Sequence, residues 1–495
     1  MGVIKRQTIK GAAYSYLGVV VGFFATGLIM PNLLSREQVG LTQILIAIST
    51  VFVQFSSLGF TKVTERLFSY FRDNSNHHNG FVFLMSVVGI AGFSLSLIIF
   101  FILKPSIIES NIEKSPLLVE YIYYLIPLIF FRMFFLMFDT YNKMLFDATT
   151  GIFLSDLVIK IGTLVLLIPY FLNFIDFQQF IFWFILIQCF PAVYLLALLI
   201  YRNQFNLQPQ KKFFTPFIRK EFINLSVFGL LGGVSSVALS NIDKIILNEY
   251  FNLATAGVYI IGFYFGTIIQ IPNKALGKIS STVIADAWKD NDLKTIDDIY
   301  YKSSINQTFV GLLLFILMVA NLHNIFKILP PEYSEGYWVI VIISLAHFLM
   351  NAAGVSVQII NTSHKYKIQT YSLGILLVIT VVLYLIFIPI WGMNGAALGF
   401  LLSWTSAAAL RVFYLRWNMQ LFPFRLTHLK CLFFGLLAFL AGKIIPVFDH
   451  FLVDLIIRCS AISIVFIGLC YRFTISEDLV KIGDNVLVVL RIKRK

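Results

Sequence analysis

Charged side chains lie inside several of the longest apolar runs of this sequence. Asp243 and Lys244 are adjacent near the end of one run, Asp156 and Lys160 are four residues apart in another, and Arg132 stands among phenylalanines in a third. A charge at the centre of a membrane helix costs about 2.5–3.5 kcal/mol on insertion scales, so such residues are functional candidates by default. A cavity lined by these cations would suit an anionic head group such as a diphosphate.

Arg132 has no neighbour in its own run that could neutralise it, so we expect it to face an aqueous cavity or a partner helix. At the matching depth of the second half, His347 and Asn351 offer milder polar groups. Asp156 and Lys160 share one helix face and are expected to form an internal ion pair, or to open and present Lys160 to an anion.

Asp243 is expected to pair with a cation from another helix, because neighbouring residues on a helix point about 100° apart. Lys244 lies close enough to the membrane surface to extend its ammonium group into water. Asn241 adds a polar group at the same level. The last in-span cation, Arg458, is expected to anchor its helix at the membrane interface.

The composition explains why these charges are conspicuous. The chain has 495 residues, of which 58% are hydrophobic and 13% charged, with a mean hydropathy of +0.84. A soluble protein would carry about 25% charged residues. Basic proteins with a net charge of +13 can bind nucleic acid, but here most basic residues lie in short segments between apolar runs, which is the pattern that orients membrane proteins.

Motifs of catalysis or cofactor binding are not found. The sequence contains no Walker A loop, HExxH, GxSxG or CxxC motif, and its 4 cysteines stand singly in apolar segments. We therefore expect no enzyme, no cofactor, no metal site and no ATP hydrolysis in this chain.

Apolar runs long enough to cross a hydrocarbon core of about 30 Å recur from end to end. They predict an all-α polytopic membrane protein with about fourteen transmembrane helices. The lysine and arginine distribution places both termini in the cytoplasm. The predicted helices lie at 11–34, 38–60, 80–103, 117–140, 152–172, 178–201, 222–247, 254–277, 304–329, 337–360, 368–389, 394–416, 430–448 and 452–473.

The two halves of the chain repeat one design. Aligning the turn glycine Gly40 with Gly257, or Pro169 with Pro389, gives nearly the same offset. Six helices per unit make a parallel repeat with a pseudo-two-fold axis along the membrane normal, around a central cavity. The predicted parts are an N-terminal lobe (1–205), a cytoplasmic linker (206–221), a C-terminal lobe (222–418), and two extra helices with a basic amphipathic tail (428–495).

Two stretches resemble bacterial polysaccharide (O-antigen type) flippases of the multidrug/oligosaccharidyl-lipid/polysaccharide exporter superfamily. The first runs from Ser240 to Leu247, including Asn241, Asp243 and Lys244, and continues through Ala256-Gly257-Val258-Tyr259. The second runs from Ile388 to Gly399, and is preceded by Ile359-Ile360-Asn361 and by Lys365 and Lys367.

The resemblance implies two six-helix lobes that move a polyprenyl-diphosphate-linked oligosaccharide from the inner to the outer leaflet of a bacterial inner membrane. Alternating access is the implied mechanism, with proton, sodium or membrane-potential coupling. Such a flippase would serve lipopolysaccharide or capsule synthesis beside a glycan polymerase and chain-length machinery. The alternatives are an ion-coupled multidrug or cation antiporter of the same superfamily and a flippase for the lipid precursor of peptidoglycan. A glycan polymerase or ligase is less compatible, because the outer loops are short.

Overall fold

The computed structural model describes residues 2–210, 215–365 and 367–489, and within these ranges the chain is helical, with no β-strand. Thirteen helices in this part of the chain are long and apolar enough to cross a membrane. They are α1 (Lys10–Leu33), α2 (Arg36–Ser56), α3 (His77–Asn111), α4 (Ile122–Met144), α5 (Thr149–Phe171), α6 (Phe177–Tyr201), α7 (Pro216–Tyr250), α8 (Leu253–Asn273), α9 (Leu293–Ala320), α10 (Pro331–Ala352), α11 (Tyr371–Met419), α12 (Leu426–Ile444) and α13 (Phe451–Arg472).

One of these helices is two predicted helices joined at a sharp bend. Gly392 has a φ of 56°, a conformation that favours glycine. A Cβ atom placed on Gly395 would collide with the Phe387 carbonyl oxygen, and one on Gly399 would meet the Tyr384 ring. The two arms of α11, 371–391 and 393–419, therefore fold back on each other, and the predicted count of fourteen crossings is met.

Several segments predicted as loops are helical. The basic stretch after α2 forms the helix Phe60–Phe71, which buries Val63 and Leu67 and exposes Lys62 and Arg66. This division into apolar and basic faces is typical of a helix lying at a membrane interface. Short helices that overlap predicted transmembrane helices instead include Pro116–Glu120, Leu322–Ile328 and Ser356–Thr362.

The predicted inner loop Lys278–Lys302 is also largely helical. It is divided between the helix Ile271–Lys289 and the first turns of α9, with a short turn between them. The hydroxyl and amide of Thr295 bond to Asp292, which caps the start of α9. The sequence analysis missed this extension because it read a charge-rich segment as a loop, although a helix can leave the membrane without ending.

The predicted tail is helical over Glu477–Val489, and residues 490–495 lie outside the described part of the chain. Helix starts elsewhere follow local sequence signals. Ser35 and Gln38 form a capping box at the start of α2, and Asp176 and Gln179 form another at the start of α6.

The chain divides into two compact units, Met1–Ile260 and Ile261–Lys495. In the first unit, aromatic residues from the helix Phe60–Phe71, α3 and α4 form the centre of a buried core, and α7 packs along α2. The fully buried rings in this core are Phe60, Phe68, Phe81 and Tyr141.

The two glycines that the sequence analysis aligned as repeats meet inside this first unit. A Cβ on Gly40 would collide with the Leu253 carbonyl oxygen, and a Cβ on Gly257 would collide with the Arg36 carbonyl oxygen. Each carbonyl belongs to the residue four positions before the other glycine, so the contact is reciprocal. Reciprocity of this kind is what a local two-fold axis between repeated elements produces.

The core of the second unit lies between α9, α10, α12 and α13, and a second cluster joins Ile284, Ile296, Tyr300 and Leu415 to the segment 355–360. The rings of Phe309 and Phe466 stack in the core between α9, α10, α12 and α13, with centroids 5.2 Å apart.

Candidate functional site

Arg132 lies in α4 and contacts α2. Its Nη1 atom donates to the Ile46 carbonyl oxygen at 3.1 Å and to the Ser49 hydroxyl at 2.8 Å. Among the described residues, Nε and Nη2 make no hydrogen bond and no carboxylate forms an ion pair with the guanidinium. The side chain is half-buried. Arg132 is thus held by neutral groups that leave its positive charge uncompensated.

Asp156 lies on α5 in a π-helical segment, Phe153–Val158, and faces α1. Its carboxylate accepts a hydrogen bond from the Ser15 hydroxyl at 2.7 Å and one from Ser155 at 3.2 Å. Gly18 of α1 permits this approach, because a Cβ there would collide with the Asp156 carbonyl oxygen. π-Helical turns are rare and occur frequently at functional sites. Lys160 lies four residues further along the same helix and is half-buried.

Asp243 is buried in α7, with 1% of its surface exposed. Its Oδ2 atom accepts a hydrogen bond from the Tyr259 hydroxyl at 2.7 Å, and its buried Oδ1 atom has no hydrogen-bond partner in the part of the chain that the structure describes. The expected cation from another helix is not found among the described residues. A hydroxyl takes its place, and a hydroxyl can bond to a protonated or an ionised carboxyl group.

Lys244 and Asn241 bond to the backbone of their own helix. The Lys244 ammonium donates to the Ser240 carbonyl oxygen at 3.3 Å, and the Asn241 amide donates to the Val237 carbonyl oxygen at 3.0 Å. Lys244 is half-buried. Its orientation back along α7 places the ammonium group one turn away from its own Cα.

Asn248, further along α7, has a joining role. It accepts a hydrogen bond from Ser115 at 3.0 Å and donates to Asn111 at 2.9 Å. The Leu253 amide in turn donates to Ser115 at 3.2 Å. These buried bonds fix the junction between α7 and α8 to the end of α3 and the turn that follows it.

His347 and Asn351 lie on α10 in the second unit and are both buried. The His347 ring packs against the rings of Phe263 and Phe400, with centroids 6.2 and 5.4 Å away. The Asn351 amide donates to the Ile269 carbonyl oxygen and accepts from Asn273, both at 2.8 Å. The Asn351 amide therefore joins α10 to the end of α8.

Arg458 differs from its expected role as an interfacial anchor. It is 4% exposed, and its Nε and Nη2 atoms bond to the two oxygens of Asp454 at 3.1 and 2.8 Å. Its Nη1 and Nη2 atoms also donate to the carbonyl oxygens of Gly442 and Pro446. Asp454 further accepts from the Asn324 amide, from the Phe448 backbone amide and from a His323 ring nitrogen.

This buried cluster joins α13 to the end of α12 and to the helix Leu322–Ile328. Sequence analysis missed it because it assigned no partner to Arg458, although Asp454 stands four residues earlier, the spacing that places two residues on one helix face.

The predicted site residues of the first unit are not gathered at one point. Arg132, Asp156 and Asp243 each bond to a different set of partners. In the described ranges, no group of three or more histidine, cysteine or acidic side chains could hold a metal ion.

A polar cluster that sequence analysis did not identify lies between the two arms of α11. Arg411, which lies within the predicted helix 394–416, lines a cavity of about 330 Å³ together with Gln369 and Tyr414. Its position within the apolar, aromatic stretch that ends α11 could have indicated in advance that Arg411 is a further charge inside a membrane-spanning helix.

This chain is similar to known proteins in its fold and not in its sequence. No family model and no curated protein sequence matches the chain. A solved structure of "Lipid II flippase MurJ, inward closed conformation" matches with a TM-score of 0.72 at 14% identity, over 94% of this chain and 100% of that one.

Transporters of a second kind also match. An inward-facing multidrug resistance MATE family transporter of the MOP superfamily gives a TM-score of 0.64 at 12% identity, over 81% of this chain and 94% of that one. A Vibrio cholerae MATE transporter gives 0.55 at 10% identity, over 85% and 98%. The predicted fold class is confirmed: the chain is a polytopic helical membrane protein that shares the fold of these solved structures.

Proposed function

We propose that this protein is a flippase that moves a polyprenyl-diphosphate-linked oligosaccharide from the inner to the outer leaflet of a bacterial inner membrane. The glycan would enter surface polysaccharide, as lipopolysaccharide or capsule. A sugar head group cannot cross hydrocarbon unaided, because its hydroxyls would lose their hydrogen bonds to water. A wet, cationic passage removes that penalty.

The observation that carries the proposal is the uncompensated charge of Arg132 in a chain with a flippase fold. A guanidinium with unused Nε and Nη2 donors suits a diphosphate, which accepts two parallel hydrogen bonds from arginine. In this account Lys160 and Lys244 add positive charge to the transport route, and Asn241, His347 and Asn351 add polar groups to it.

Asp243 is the acid that we assign to ion coupling, with Asp156 as the second candidate. The buried Oδ1 atom of Asp243 has no hydrogen-bond partner among the described residues, so binding of a proton or a sodium ion would satisfy it. Loading and release of that ion would then bias the alternation between inward and outward access. Both termini would lie in the cytoplasm.

The direct test of the function is deletion of the gene followed by analysis of lipid-linked oligosaccharides. We expect a polyprenyl-diphosphate-linked glycan to accumulate in the inner leaflet and surface glycan to disappear, with recovery on complementation. Normal surface glycan and no accumulated intermediate would contradict the proposal.

The likeness to the lipid II flippase favours a second candidate, a flippase for the lipid precursor of peptidoglycan. The same strain discriminates the two functions. Loss of cell-wall precursor transport and lysis would support the second candidate, whereas an intact wall with lost surface glycan supports the first. Ion-driven efflux of cationic drugs by the purified protein would instead indicate the multidrug antiporter, a function that the MATE transporters of this fold carry in their names.

A further inference from the structure

The two arms of α11 enclose a groove that is apolar along most of its length and polar at one end. Its cavity of about 330 Å³ reaches the lower part of the range of about 300–1,000 Å³ that is usual for ligand sites. Ile375, Leu410, Phe413 and Trp417 line it and are exposed at the surface of the protein. In a membrane-spanning helix these side chains face hydrocarbon, so the groove is open to lipid.

The polar end of the groove has unsatisfied hydrogen-bonding groups. The Nε atom of Arg411, the hydroxyl of Tyr414 and the side-chain oxygen of Gln369 are buried and have no partner in the described part of the chain. Buried polar groups are nearly always paired, so three orphans on the lining of one groove indicate a missing ligand.

The chemistry of that ligand follows from the cluster. Arg411 forms no ion pair with a carboxylate among the described residues, so its charge calls for an anion. A phosphate offers acceptors for the guanidinium and for the Tyr414 hydroxyl. Trp417 and Tyr414 lie near the end of the helix, where aromatic residues of membrane proteins meet the lipid head groups.

We propose that the groove between the arms of α11 binds one anionic glycerophospholipid, with its phosphate at Arg411 and an acyl chain along Ile375, Leu410 and Phe413. Basic pockets between transmembrane helices bind acidic head groups in this way. The bound lipid fills the space between the two arms, and its phosphate accepts hydrogen bonds from the orphaned donors of Arg411 and Tyr414. This site belongs to the membrane's own lipid and is separate from the transported substrate.

The test uses the purified full-length protein, stripped of lipid in detergent and then titrated with phosphatidylglycerol or phosphatidylcholine that carry the same acyl chains. Native mass spectrometry counts the lipid retained. We expect phosphatidylglycerol to be retained about tenfold more than phosphatidylcholine, and Arg411→Gln to remove that preference, since loss of a charged hydrogen bond commonly costs tenfold or more in affinity.

Arg416→Gln is the matched control, because Arg416 lies on the same helix, is exposed, and packs over the Phe422 ring. It should keep the preference. Ser406→Trp fills the groove and leaves the charge in place, so it should lower phosphatidylglycerol retention even if Arg411→Gln fails to fold.

Three results would overturn the proposal. The first is equal retention of both lipids by the wild-type protein. The second is a loss of the preference in Arg416→Gln as complete as in Arg411→Gln. The third is unchanged retention of phosphatidylglycerol by Ser406→Trp. Displacement of bound phosphatidylglycerol by polyprenyl phosphate at a lower concentration would also overturn it, because the groove would then be a substrate site.

Discussion

Arg132 and Arg458 are both arginines inside membrane-spanning helices, yet their surroundings differ. Every guanidinium nitrogen of Arg458 bonds to protein oxygens, and Asp454 neutralises its charge. Arg132 uses only Nη1, and its acceptors are a carbonyl oxygen and a hydroxyl. The comparison teaches that depth in the membrane does not by itself mark a functional charge. What distinguishes the two is whether the protein has already satisfied the side chain.

The largest effect is expected from breaking the Arg458 pair. Arg458→Leu leaves Asp454 buried and uncompensated, which should lower the free energy of unfolding by about 3–5 kcal/mol. The measurement is the thermal midpoint in detergent together with the amount of protein in the membrane. The double variant Asp454→Leu, Arg458→Leu should recover part of the loss, because it removes both charges. A single variant as stable as the wild type would show that the cluster is not structural.

Arg132→Gln should reduce transport much more than it reduces stability. The glutamine amide can still donate to one of the two acceptors, so the variant loses about 1.5–3 kcal/mol at most, and it strands no buried charge. We therefore expect near-normal abundance with a strongly reduced yield of surface glycan, measured in the complemented deletion strain. Low abundance that accounts for the whole loss of glycan would place Arg132 with Arg458 as a structural residue.

Asp243→Asn tests whether a buried acid with an unused oxygen has a role in ion coupling. The amide oxygen can still accept the Tyr259 hydrogen bond, so abundance should stay near normal, whereas coupling to an ion should be lost. Transport should then no longer respond to an imposed proton or sodium gradient in proteoliposomes. Tyr259→Phe is the matched variant: it should cost about 1–3 kcal/mol of stability and keep the ionisable group. An Asp243→Asn protein with full ion dependence would remove Asp243 from the coupling site.

The smallest effect is expected at Arg202, which pairs outside the membrane spans with Asp147 at 2.9 Å. Burial raises the pKa of Asp147, but hydrogen bonds from Thr150 and Arg202 outweigh it and hold that pKa below its ordinary value. A lowered carboxyl pKa adds stability that is present at neutral pH and is lost as the pH falls through the folded-state pKa.

Asp147→Asn should therefore lower the free energy of unfolding at pH 7 by less than about 1 kcal/mol, because Arg202 is partly exposed. The thermal midpoint should fall slightly and depend less on acid pH. An unchanged acid dependence would show that the pair contributes nothing measurable.

Much of the fold was predictable from the sequence because membrane spans depend on local composition. The helix count, the turn at Gly40, the repeat at Gly257 and the bend near Pro389 all follow from short stretches of chain. The helix Phe60–Phe71 was not predicted, because its basic residues indicated a loop and its apolar residues were not recognised as one buried helix face. Helix ends at charged segments were misplaced for the same reason.

The site was less predictable, because side-chain partners come from distant parts of the chain. Nothing near Arg132 in the sequence indicates Ser49, and nothing near Asp243 selects the Tyr259 hydroxyl over a cation. Arg411 is the clearest case. It lies within the predicted helix 394–416, and only the packing of the two arms of α11 makes it the polar end of an apolar groove.

The most direct test of the account is translocation by purified protein. Proteoliposomes would carry a fluorescent polyprenyl-diphosphate-linked oligosaccharide, and lectin binding would report how much of it reaches the outer leaflet. We predict rapid translocation by the wild type and by Arg472→Gln, an exposed arginine at the end of α13, and a rate at least about tenfold lower for Arg132→Gln, the equivalent of one charged hydrogen bond. Equal rates for wild-type and Arg132→Gln protein would contradict the central claim that the unsatisfied arginine grips the lipid-linked anion.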